Sequence, residues 1–231
     1  MCRTVLHKIS TGCEAIDKIL DGGIPLGSVN LVYGEAETGK TTLAIQCAVN
    51  CARRGYKTLF MDCDGTFSGR RLSQIAIGDF NDIAELIILM KPNNFSEQTT
   101  AIDRLIEYVT KGFGLVVIDT MTSLYRAEIA EHHKKTFELN RELNRQMACL
   151  AQIAKTQKIA MLITSQVQSV FNEAFVSIEP VATRVLKFWA DTIIALKPTE
   201  NAQIIKSVLE KSPKKVQPLT CHLKIEETGI H

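Results

Sequence analysis

The sequence predicts an α/β fold in which helices flank a mostly parallel central sheet, with an antiparallel extension at the C-terminal end. Two observations lead to this prediction. Apolar runs alternate with segments of helical periodicity between residues 29 and 166, and strands that are apolar along their whole length are typical of parallel sheets covered on both faces. After Pro180 the long helical patterns end, and three strand patterns follow one another directly.

Five strands and four helices are predicted before Pro180. The strands are VNLVY (29–33), KTLFMDC (57–63), ELIILM (85–90), GLVVID (114–119) and IAMLITSQ (159–166). The helices are expected over about 40–54, from just after Ser68, over 97–110 and over 137–156, whereas the polar segment between 119 and 137 is expected to be a loop. In the last helix a buried face is expected, because apolar residues recur near helical spacing at Phe137, Leu143, Met147, Leu150 and Ile153.

The three strands predicted after Pro180 are DTIIALK (191–197), AQIIKSVLE (202–210) and LTCHLKIEE (219–227). No linker rich in proline, glycine or serine separates them from the preceding part, and no internal repeat is evident. A single domain over residues 1–231 is therefore expected. At 45% hydrophobic and 23% charged residues, the composition is that of a folded globular protein rather than a disordered one.

The charged residues and the cysteines indicate which partners and which cellular compartment are compatible with this sequence. The formal net charge of +2 does not demand a nucleic-acid partner, but six lysines between 197 and 224 face only Glu200 and Glu210, so this segment is either a solvated surface or a DNA contact. No C-x-x-C pair and no secretory or membrane-spanning segment is evident, so a reduced, cytoplasmic protein without membrane contact is expected. The pair His132-His133 lacks a cysteine or carboxylate spaced to complete a metal site.

One motif indicates chemistry. The stretch GEAETGKTT (34–42) fits the phosphate-loop pattern G-x-x-x-x-G-K-T, and it lies between a predicted strand and a predicted helix, as nucleotide binding requires. The loop amides and the helix N-terminus would then face the phosphates of ATP. The residues predicted to bind the nucleotide are Gly34, Glu35, Ala36, Glu37, Thr38, Gly39, Lys40, Thr41 and Thr42. The alternative interpretation is a glycine turn followed by a threonine that caps a helix.

The motif implies Mg²⁺ as the metal ion. The Thr41 hydroxyl would ligate it, and Asp119, at the end of a hydrophobic strand, would hold it through water. Two carboxylates within the loop are unexpected beside a polyanion. Glu35 is expected to turn toward solvent, whereas Glu37 stands closer to the expected γ-phosphate, and its charge is expected to weaken ATP binding.

Five segments, in the same order and register, resemble the RecA-like recombinases of archaea and eukaryotes. They are STGCEAIDKILDGGIPLGSVNLVYG (10–34), FMDCDGTFSGRRL (60–72), VVIDTMTSLYRAE (116–128), NRELNRQM (140–147) and ITSQV (163–167). The resemblance runs from about Ser10 to Ile230, and the compact length and the block LYRAE followed by NRELNRQ are similar to the short archaeal paralogues of this RecA/RadA family. It implies a RecA-like P-loop ATPase core, with the nucleotide at the carboxyl ends of parallel strands.

The resemblance also implies roles for two residues near the γ-phosphate. Asp64, in DCDGTF, matches the acidic residue that polarises the attacking water, but the active strand-exchange enzymes have glutamate at that position. An aspartate carboxylate falls about 1 Å short, and a misplacement of this size can lower the rate on the order of a hundredfold. Gln166 matches the glutamine that senses the γ-phosphate and couples it to a DNA-binding loop.

Three further residues match family positions around the base and the subunit boundary. Arg71 matches an arginine that stacks on adenine, with a solvated helix residue as the alternative. Pro213 matches a proline that covers adenine from the next subunit. Lys211 stands two positions before that proline, where active recombinases have an aspartate, and it would either reach a neighbouring γ-phosphate or lie on the surface.

The DNA-binding parts of the family are reduced in this sequence. A core that begins at about residue 10 is expected to leave no room for the family's N-terminal DNA-binding domain or its intersubunit linker. The second DNA-binding loop, VQSVFNEAFVSIE (167–179), has no arginine, lysine or glycine, although Phe171 or Phe175 could stack on bases. Modest, salt-sensitive DNA binding is therefore expected through six basic residues: Arg126, Lys134, Lys135, Lys211, Lys214 and Lys215.

The favoured hypothesis is an ATP-binding, DNA-binding accessory protein of homologous recombination and DNA repair, a very weak ATPase that does not itself exchange strands. The expected nucleic-acid partner is single-stranded or branched DNA. The resemblance to the short archaeal paralogues implies the main archaeal recombinase and a Holliday-junction resolvase as protein partners, and a homodimer is a further alternative. The first alternative is a RecA-like signalling ATPase or phosphotransferase of the KaiC type that acts on proteins. The arginine in LYRAE favours the recombinase branch. The second alternative is a scaffold that uses bound ATP only to stabilise its fold or its partner surface.

Overall fold

The structure is a computed structural model that describes residues 6–172, 175–180, 182–213 and 218–231, and the side chains of all of these except 168–172, 175–180 and 183. The strands are β1 (Lys8–Ile9), β2 (Ile24–Pro25), β3 (Val29–Gly34), β4 (Lys57–Asp62), β5 (Ile87–Met90), β6 (Phe113–Asp119), β7 (Ala160–Ser165), β8 (Val167–Asn172), β9 (Phe175–Pro180), β10 (Thr192–Pro198), β11 (Ile204–Lys211), β12 (Leu219–Glu226) and β13 (Gly229–Ile230).

Helices connect most of these strands. They are α1 (Glu14–Ile19), α2 (Lys40–Arg53), α3 (Gly69–Ile75), α4 (Phe80–Ala84), α5 (Phe95–Asp103), α6 (Leu105–Tyr108), α7 (Ser123–Glu131), α8 (Thr136–Gln157) and α9 (Thr183–Trp189), with a 3-10 turn at His133–Lys135. No helix within the described ranges is both long enough and apolar enough to cross a membrane.

The central sheet has nine strands in the spatial order β13-β12-β11-β10-β3-β7-β6-β4-β5. The six strands from β10 to β5 are parallel, and β11, β12 and β13 continue the sheet antiparallel. This confirms the predicted fold class. The antiparallel extension begins one strand later than expected, because α9 returns the chain across the sheet so that β10 runs parallel to β3.

Both faces of the parallel part are covered. Every residue of β3, β6 and β7 is buried, as the strand patterns rich in apolar residues predicted. One apolar cluster packs around α2 and the C-terminal strands, and a second packs around α5 and α8 on the opposite face. The site described below therefore lies at the edge of a sheet that is packed on both faces.

The polar segment predicted as a loop after Asp119 contains the helix α7, so this prediction was wrong. Its buried residue is Tyr125, whose ring packs edge-on against Phe95 with centroids 5.8 Å apart. The Tyr125 hydroxyl donates a hydrogen bond of 2.5 Å to Oδ1 of Asn140 on α8. Leu124 and Ile129 are partly buried and pack against the same apolar cluster as Tyr125. Tertiary packing of these few residues stabilises the short helix, although the sequence shows no strong periodic apolar pattern.

The predicted buried face of α8 is correct for Leu143, Met147, Leu150 and Ile153, but not for Phe137. The Phe137 side chain is 80% exposed. It precedes Leu143 by six residues, which places it about 120° away around the helix axis at 3.6 residues per turn. The apolar stripe therefore begins one turn later than predicted.

The segment predicted as the second DNA-binding loop is not a simple loop. Residues 167–172 and 175–180 form β8 and β9, which pair antiparallel with each other in a separate two-stranded sheet. The side chains of Phe171 and Phe175, for which base stacking is predicted, lie outside the described residues. The predicted helix over 97–110 is likewise divided, into α5 and α6.

Candidate functional site

The carboxyl ends of four neighbouring parallel strands meet at one edge of the sheet. They belong to β3, β7, β6 and β4, which lie side by side. These strands end at Gly34, Ser165, Asp119 and Asp62. In parallel sheets of this kind, ligands bind at the carboxyl ends of the strands. The topology therefore brings together predicted site residues that are far apart in the sequence, such as Gly34 and Gln166.

The turn between β3 and α2 is tight and requires glycine at two positions. A Cβ atom on Gly34 would lie 2.3 Å from the carbonyl oxygen of Leu196 and 2.7 Å from Oγ1 of Thr38, closer than atoms can approach. Gly39 precedes α2 with a φ of 82°, in the left-handed region that favours glycine. The Thr38 hydroxyl donates a hydrogen bond of 2.8 Å to the carbonyl oxygen of Glu35, which closes the turn.

Lys40 is the first residue of α2, and only a small fraction of its surface is exposed to solvent. Its Nζ donates a hydrogen bond of 2.5 Å to the carbonyl oxygen of Glu35. Burial lowers the pKa of this ammonium group, and the carboxylates of Asp119, Asp64 and Glu35 act in the opposite direction. A desolvated cation in this position is stabilised by an anionic ligand, because the ligand replaces the water that burial has removed.

Asp119 lies fully buried at the end of β6. Its Oδ2 accepts a hydrogen bond of 2.7 Å from the Thr41 hydroxyl, and its Oδ1 accepts one from the Thr164 hydroxyl. Burial raises the pKa of Asp119, the two hydrogen bonds lower it, and the charges of Asp64 and Asp62 raise it further. The hydroxyl of Thr41 and the carboxylate of Asp119 are the hard oxygen donors that Mg²⁺ prefers, so the two residues fit this ion.

Asp62 holds the turn that carries Asp64. The Asp62 carboxylate is buried, and it accepts hydrogen bonds from the backbone N–H groups of Thr66 at 2.9 Å and Phe67 at 3.2 Å. The ammonium group of Lys91 lies 3.5 Å from the same carboxylate. These contacts fix the chain after β4 so that Asp64 stands near Asp119 and Lys40, whose pKa values it influences.

Gln166 connects Asp64 to the helix α7. The Gln166 amide nitrogen lies 3.4 Å from Oδ2 of Asp64, to which it donates. The Gln166 amide oxygen accepts a hydrogen bond of 2.7 Å from Nη1 of Arg126. Two residues predicted for catalysis and one predicted for DNA binding therefore form a single hydrogen-bonded chain.

Arg71 lies beside the turn that joins β12 to β13. Its Nη1 donates a hydrogen bond of 2.7 Å to the carbonyl oxygen of Glu227, and its Nη2 donates one of 2.7 Å to that of Glu226. Burial lowers the pKa of the Arg71 guanidinium, and the charge of Glu227 opposes this. The predicted stacking on adenine stays a prediction, and these contacts would have to coexist with it. Pro213, predicted to cover adenine from a neighbouring subunit, is exposed just beyond β11.

The C-terminal strand β13 packs against the phosphate loop, a contact that sequence reasoning missed. Ile230 exchanges two hydrogen bonds with the side chain of Gln46 on α2, one from its N–H at 2.8 Å and one to its carbonyl oxygen at 3.0 Å. A Cβ atom on Gly39 would lie only 2.9 Å from Cδ1 of Ile230. No local sequence signal connects residues so far apart, so only the tertiary structure reveals this support for the loop.

Of the other predicted DNA-binding residues, three lie within the part of the chain that the structure describes. Lys134 and Lys135 are exposed in the 3-10 turn after α7. Lys211 donates hydrogen bonds to the carbonyl oxygens of Ala190 at 2.5 Å and Lys187 at 3.2 Å, at the end of α9. A cation is favourable at the C-terminal end of a helix, where carbonyl oxygens are free to accept hydrogen bonds. The Lys211 ammonium therefore already has hydrogen-bond partners within this protein. Lys214 and Lys215 lie outside the described residues.

The predicted metal site was limited to Thr41 and Asp119. In the part of the chain that the structure describes, no group of three or more histidine, cysteine, aspartate or glutamate side chains is placed to hold a metal ion. His132 directly follows α7, and its Nδ1 lies 3.2 Å from a carboxylate oxygen of Glu128 on that helix.

A phosphate loop follows the central parallel strand β3, and a buried aspartate ends the parallel strand β6, which is separated from β3 by β7. Together these features define a P-loop protein with a RecA-like core. The chain belongs to the Rad51 family, whose model matches residues 2–231. This is the fold of a nucleotide-binding family.

Individual relatives agree with this assignment. The DNA repair and recombination protein RadB of Methanococcoides burtonii is 30% identical over 228 residues, which cover 99% of this chain and 99% of RadB. RadB of Methanobrevibacter smithii is 32% identical over 97% of this chain and 95% of its own length. A crystal structure of the RadB recombinase has a TM-score of 0.81 and 30% identity, over 96% of this chain and 98% of that chain. The predicted resemblance to the short archaeal paralogues is confirmed.

Proposed function

We propose that this chain is an accessory protein of homologous recombination and DNA repair that binds ATP with Mg²⁺ and binds DNA, hydrolyses ATP very slowly and does not itself exchange strands. The observation that carries the proposal is the convergence of five side chains at one edge of the sheet: Lys40, Thr41, Asp64, Asp119 and Gln166. The relatives named RadB are DNA repair and recombination proteins, which supports recombination rather than signalling as the process.

Each side chain has a distinct role in this proposal. Lys40 would neutralise phosphate oxygens that the loop amides bind. Thr41 and Asp119 would hold Mg²⁺, which neutralises the phosphate charge that develops during hydrolysis. Asp64 would orient the attacking water and accept its proton, and Gln166 would donate a hydrogen bond to the γ-phosphate. The very low turnover follows from Asp64, whose carboxylate is one methylene shorter than that of glutamate.

Exposed basic residues support the DNA-binding part of the proposal. Arg126, Lys134 and Lys135 lie on one continuous segment of α7 and the following turn, and all three are exposed. The exposed ring of Phe137 follows directly and offers a surface on which a base can stack. Lys211 contributes less, because its ammonium already contacts two carbonyl oxygens of α9. Single-stranded or branched DNA, whose bases are accessible, suits this combination.

The proposal also includes specific protein partners. The main archaeal recombinase is proposed as the partner that this protein assists, and a Holliday-junction resolvase as one whose cleavage it restrains. A homodimer is the third assembly to test. Sedimentation of the purified protein alone, and then with each candidate partner and ATP, distinguishes the three.

The DNA part is tested by fluorescence anisotropy with a single-stranded oligonucleotide, with and without ATP, at several salt concentrations. We expect binding that weakens as salt rises, because lysine and arginine displace counterions from the phosphates. Replacing Lys134 and Lys135 by alanine should reduce the salt slope by about 0.7 for each lost phosphate contact. Replacing Lys111 and Lys155 is the matched control, since both are exposed lysines at the amino-terminal edge of the sheet. Binding without any salt dependence would contradict DNA recognition by these residues.

Replacing Glu37 should tighten ATP binding. Glu37 is exposed in the phosphate loop with a φ of 63°, a left-handed conformation that costs a residue with a side chain more than it costs glycine. Both Glu37→Ser and Glu37→Gly remove a carboxylate near the expected phosphates, and we expect up to about fivefold tighter binding from the lost repulsion. Glu35→Ser is the control for charge elsewhere in the same loop. An affinity for Glu37→Ser that is unchanged or weaker by calorimetry would refute the repulsion.

A further inference from the structure

The Gln166 side chain is held at both of its ends. Its Oε1 accepts a hydrogen bond of 2.7 Å from Nη1 of Arg126, and its Nε2 donates to Oδ2 of Asp64 at 3.4 Å. Gln166 directly follows β7, Asp64 follows β4 and Arg126 lies on α7. Three separate segments therefore meet at one amide group, and one of them carries an exposed guanidinium.

An amide has two different ends, and only one orientation suits this arrangement. The oxygen accepts hydrogen bonds, and the nitrogen donates them. With its oxygen bound by Arg126, Gln166 presents its NH₂ group toward Asp64 and the phosphate loop, where a γ-phosphate requires donors. In the flipped amide, the oxygen would face the Asp64 carboxylate, and two acceptors would repel each other. The charged donor Arg126 therefore selects the orientation that can bind phosphate.

The same guanidinium is available to a phosphate of DNA. Arginine binds phosphate through two parallel, charge-assisted hydrogen bonds, which are stronger than one hydrogen bond to a neutral amide. A DNA phosphate would therefore compete with Gln166 for Arg126. When Arg126 turns to DNA, the Gln166 amide loses the contact that selects its orientation, and the nucleotide site changes in response.

From this arrangement we infer that Arg126 is a positioning residue for Gln166, through which DNA binding and nucleotide binding influence each other. The inference rests on the proposed function and names how its two ligands communicate. It routes the coupling through Arg126 on α7, whereas the family resemblance assigns it to Gln166 and the second DNA-binding loop. The effect is reciprocal, because the factor by which DNA changes ATP affinity equals the factor by which ATP changes DNA affinity.

The test is calorimetric titration with a non-hydrolysable ATP analogue and Mg²⁺, without DNA and with saturating single-stranded oligonucleotide. We expect DNA to change the ATP affinity of the natural protein by at least about fivefold, the lower end of typical coupling between two sites. Arg126→Ala should reduce this factor to about one, even at saturating DNA. Arg141→Ala, which removes an exposed arginine from the neighbouring helix α8, should keep the natural factor.

A second comparison separates positioning from a structural role. In a Gln166→Ala protein, adding Arg126→Ala should not change the nucleotide affinity further, because Arg126 acts on the nucleotide only through Gln166. Arg126→Lys keeps the positive charge but lacks the planar fork of donors. It should therefore retain most of the DNA affinity while it loses most of the coupling. Thermal unfolding of each variant shows that the fold is retained.

Three results would overturn the inference. The first is an Arg126→Ala protein in which saturating DNA changes the ATP affinity by the same factor as in the natural protein. The second is a double variant in which the effects of Arg126→Ala and Gln166→Ala on nucleotide affinity add. The third is a natural protein that binds both ligands but whose ATP affinity does not change when DNA binds. In each case the separate affinities for ATP and DNA are measured in the same titrations, so the proposed function stands. A natural protein that binds neither ligand would contradict the proposed function itself.

Discussion

Replacing Lys40 by alanine is expected to lower the affinity for ATP roughly 100-fold, because hydrogen bonds to charged groups contribute about 1.5–3 kcal/mol and this ammonium is already desolvated. The phosphate loop would keep its shape, since Gly34, Gly39 and the hydrogen bond from Thr38 do not depend on the lysine side chain. Calorimetric titration with ATP and Mg²⁺ measures the change.

Lys57→Ala is the matched control, because Lys57 is an exposed lysine at the opposite end of a neighbouring strand, β4. It should bind ATP as the natural protein does. If Lys40→Ala binds ATP with nearly the same affinity as the natural protein, the phosphate loop does not bind the triphosphate. The same variant tests the scaffold hypothesis. If DNA and partner proteins still bind while ATP binding is lost, then ATP is not the switch that controls them.

Replacing Asp64 by glutamate is expected to raise ATP turnover by about 10- to 100-fold. The longer side chain would return the carboxylate to the attacking water, and a misplacement of about 1 Å can account for a hundredfold loss. The turn that carries Asp64 is held by the Asp62 carboxylate through two backbone N–H groups, so the substitution should not move the backbone. Steady-state phosphate release at saturating ATP, with single-stranded DNA present, measures the gain.

Two controls make this prediction specific. Asp64→Asn keeps the size of the side chain but cannot accept the proton, so its turnover should fall below that of the natural protein. Asp64→Glu combined with Gln166→Ala should lose much of the gain, because the glutamine that donates to this carboxylate is absent. Turnover of the natural protein above about 1 s⁻¹, which is within the common range for enzymes, would contradict the proposal of a very weak ATPase.

The elements that the sequence predicted well are those with strong local patterns. The runs 29–33, 114–119 and 159–166 are rich in apolar residues, and they form the buried strands β3, β6 and β7. The elements that were missed have weak local patterns. The helix α7 has one buried residue, Tyr125. Within the described residues, the strands β8 and β9 pair with each other in a two-stranded sheet. In both cases contacts with another element stabilise the structure, and the element's own sequence has no regular apolar pattern that would predict it.

The candidate site likewise contains residues that local sequence patterns predict and contacts that they do not predict. Lys40 and Thr41 could be predicted because the phosphate loop is a continuous stretch whose glycines and neighbouring elements are visible in the sequence. Asp119 could be predicted because it ends an apolar strand. Nothing in the local sequence indicates that Thr164 binds Asp119, since the hydroxyl reaches it from the adjacent strand.

By itself, the sequence determined the order of the main strands and helices around the phosphate loop, the position of that loop and membership of the RecA-like recombinases, because periodicity and motifs depend on neighbouring residues. Only the tertiary structure decided which distant side chains meet. The spatial order β3-β7-β6-β4 differs from the order along the chain, and it sets the contact of Gln166 with Asp64. The packing of α7 adds Arg126 to that pair. These contacts depend on strand neighbours and helix packing, and neither is encoded in any short stretch of residues.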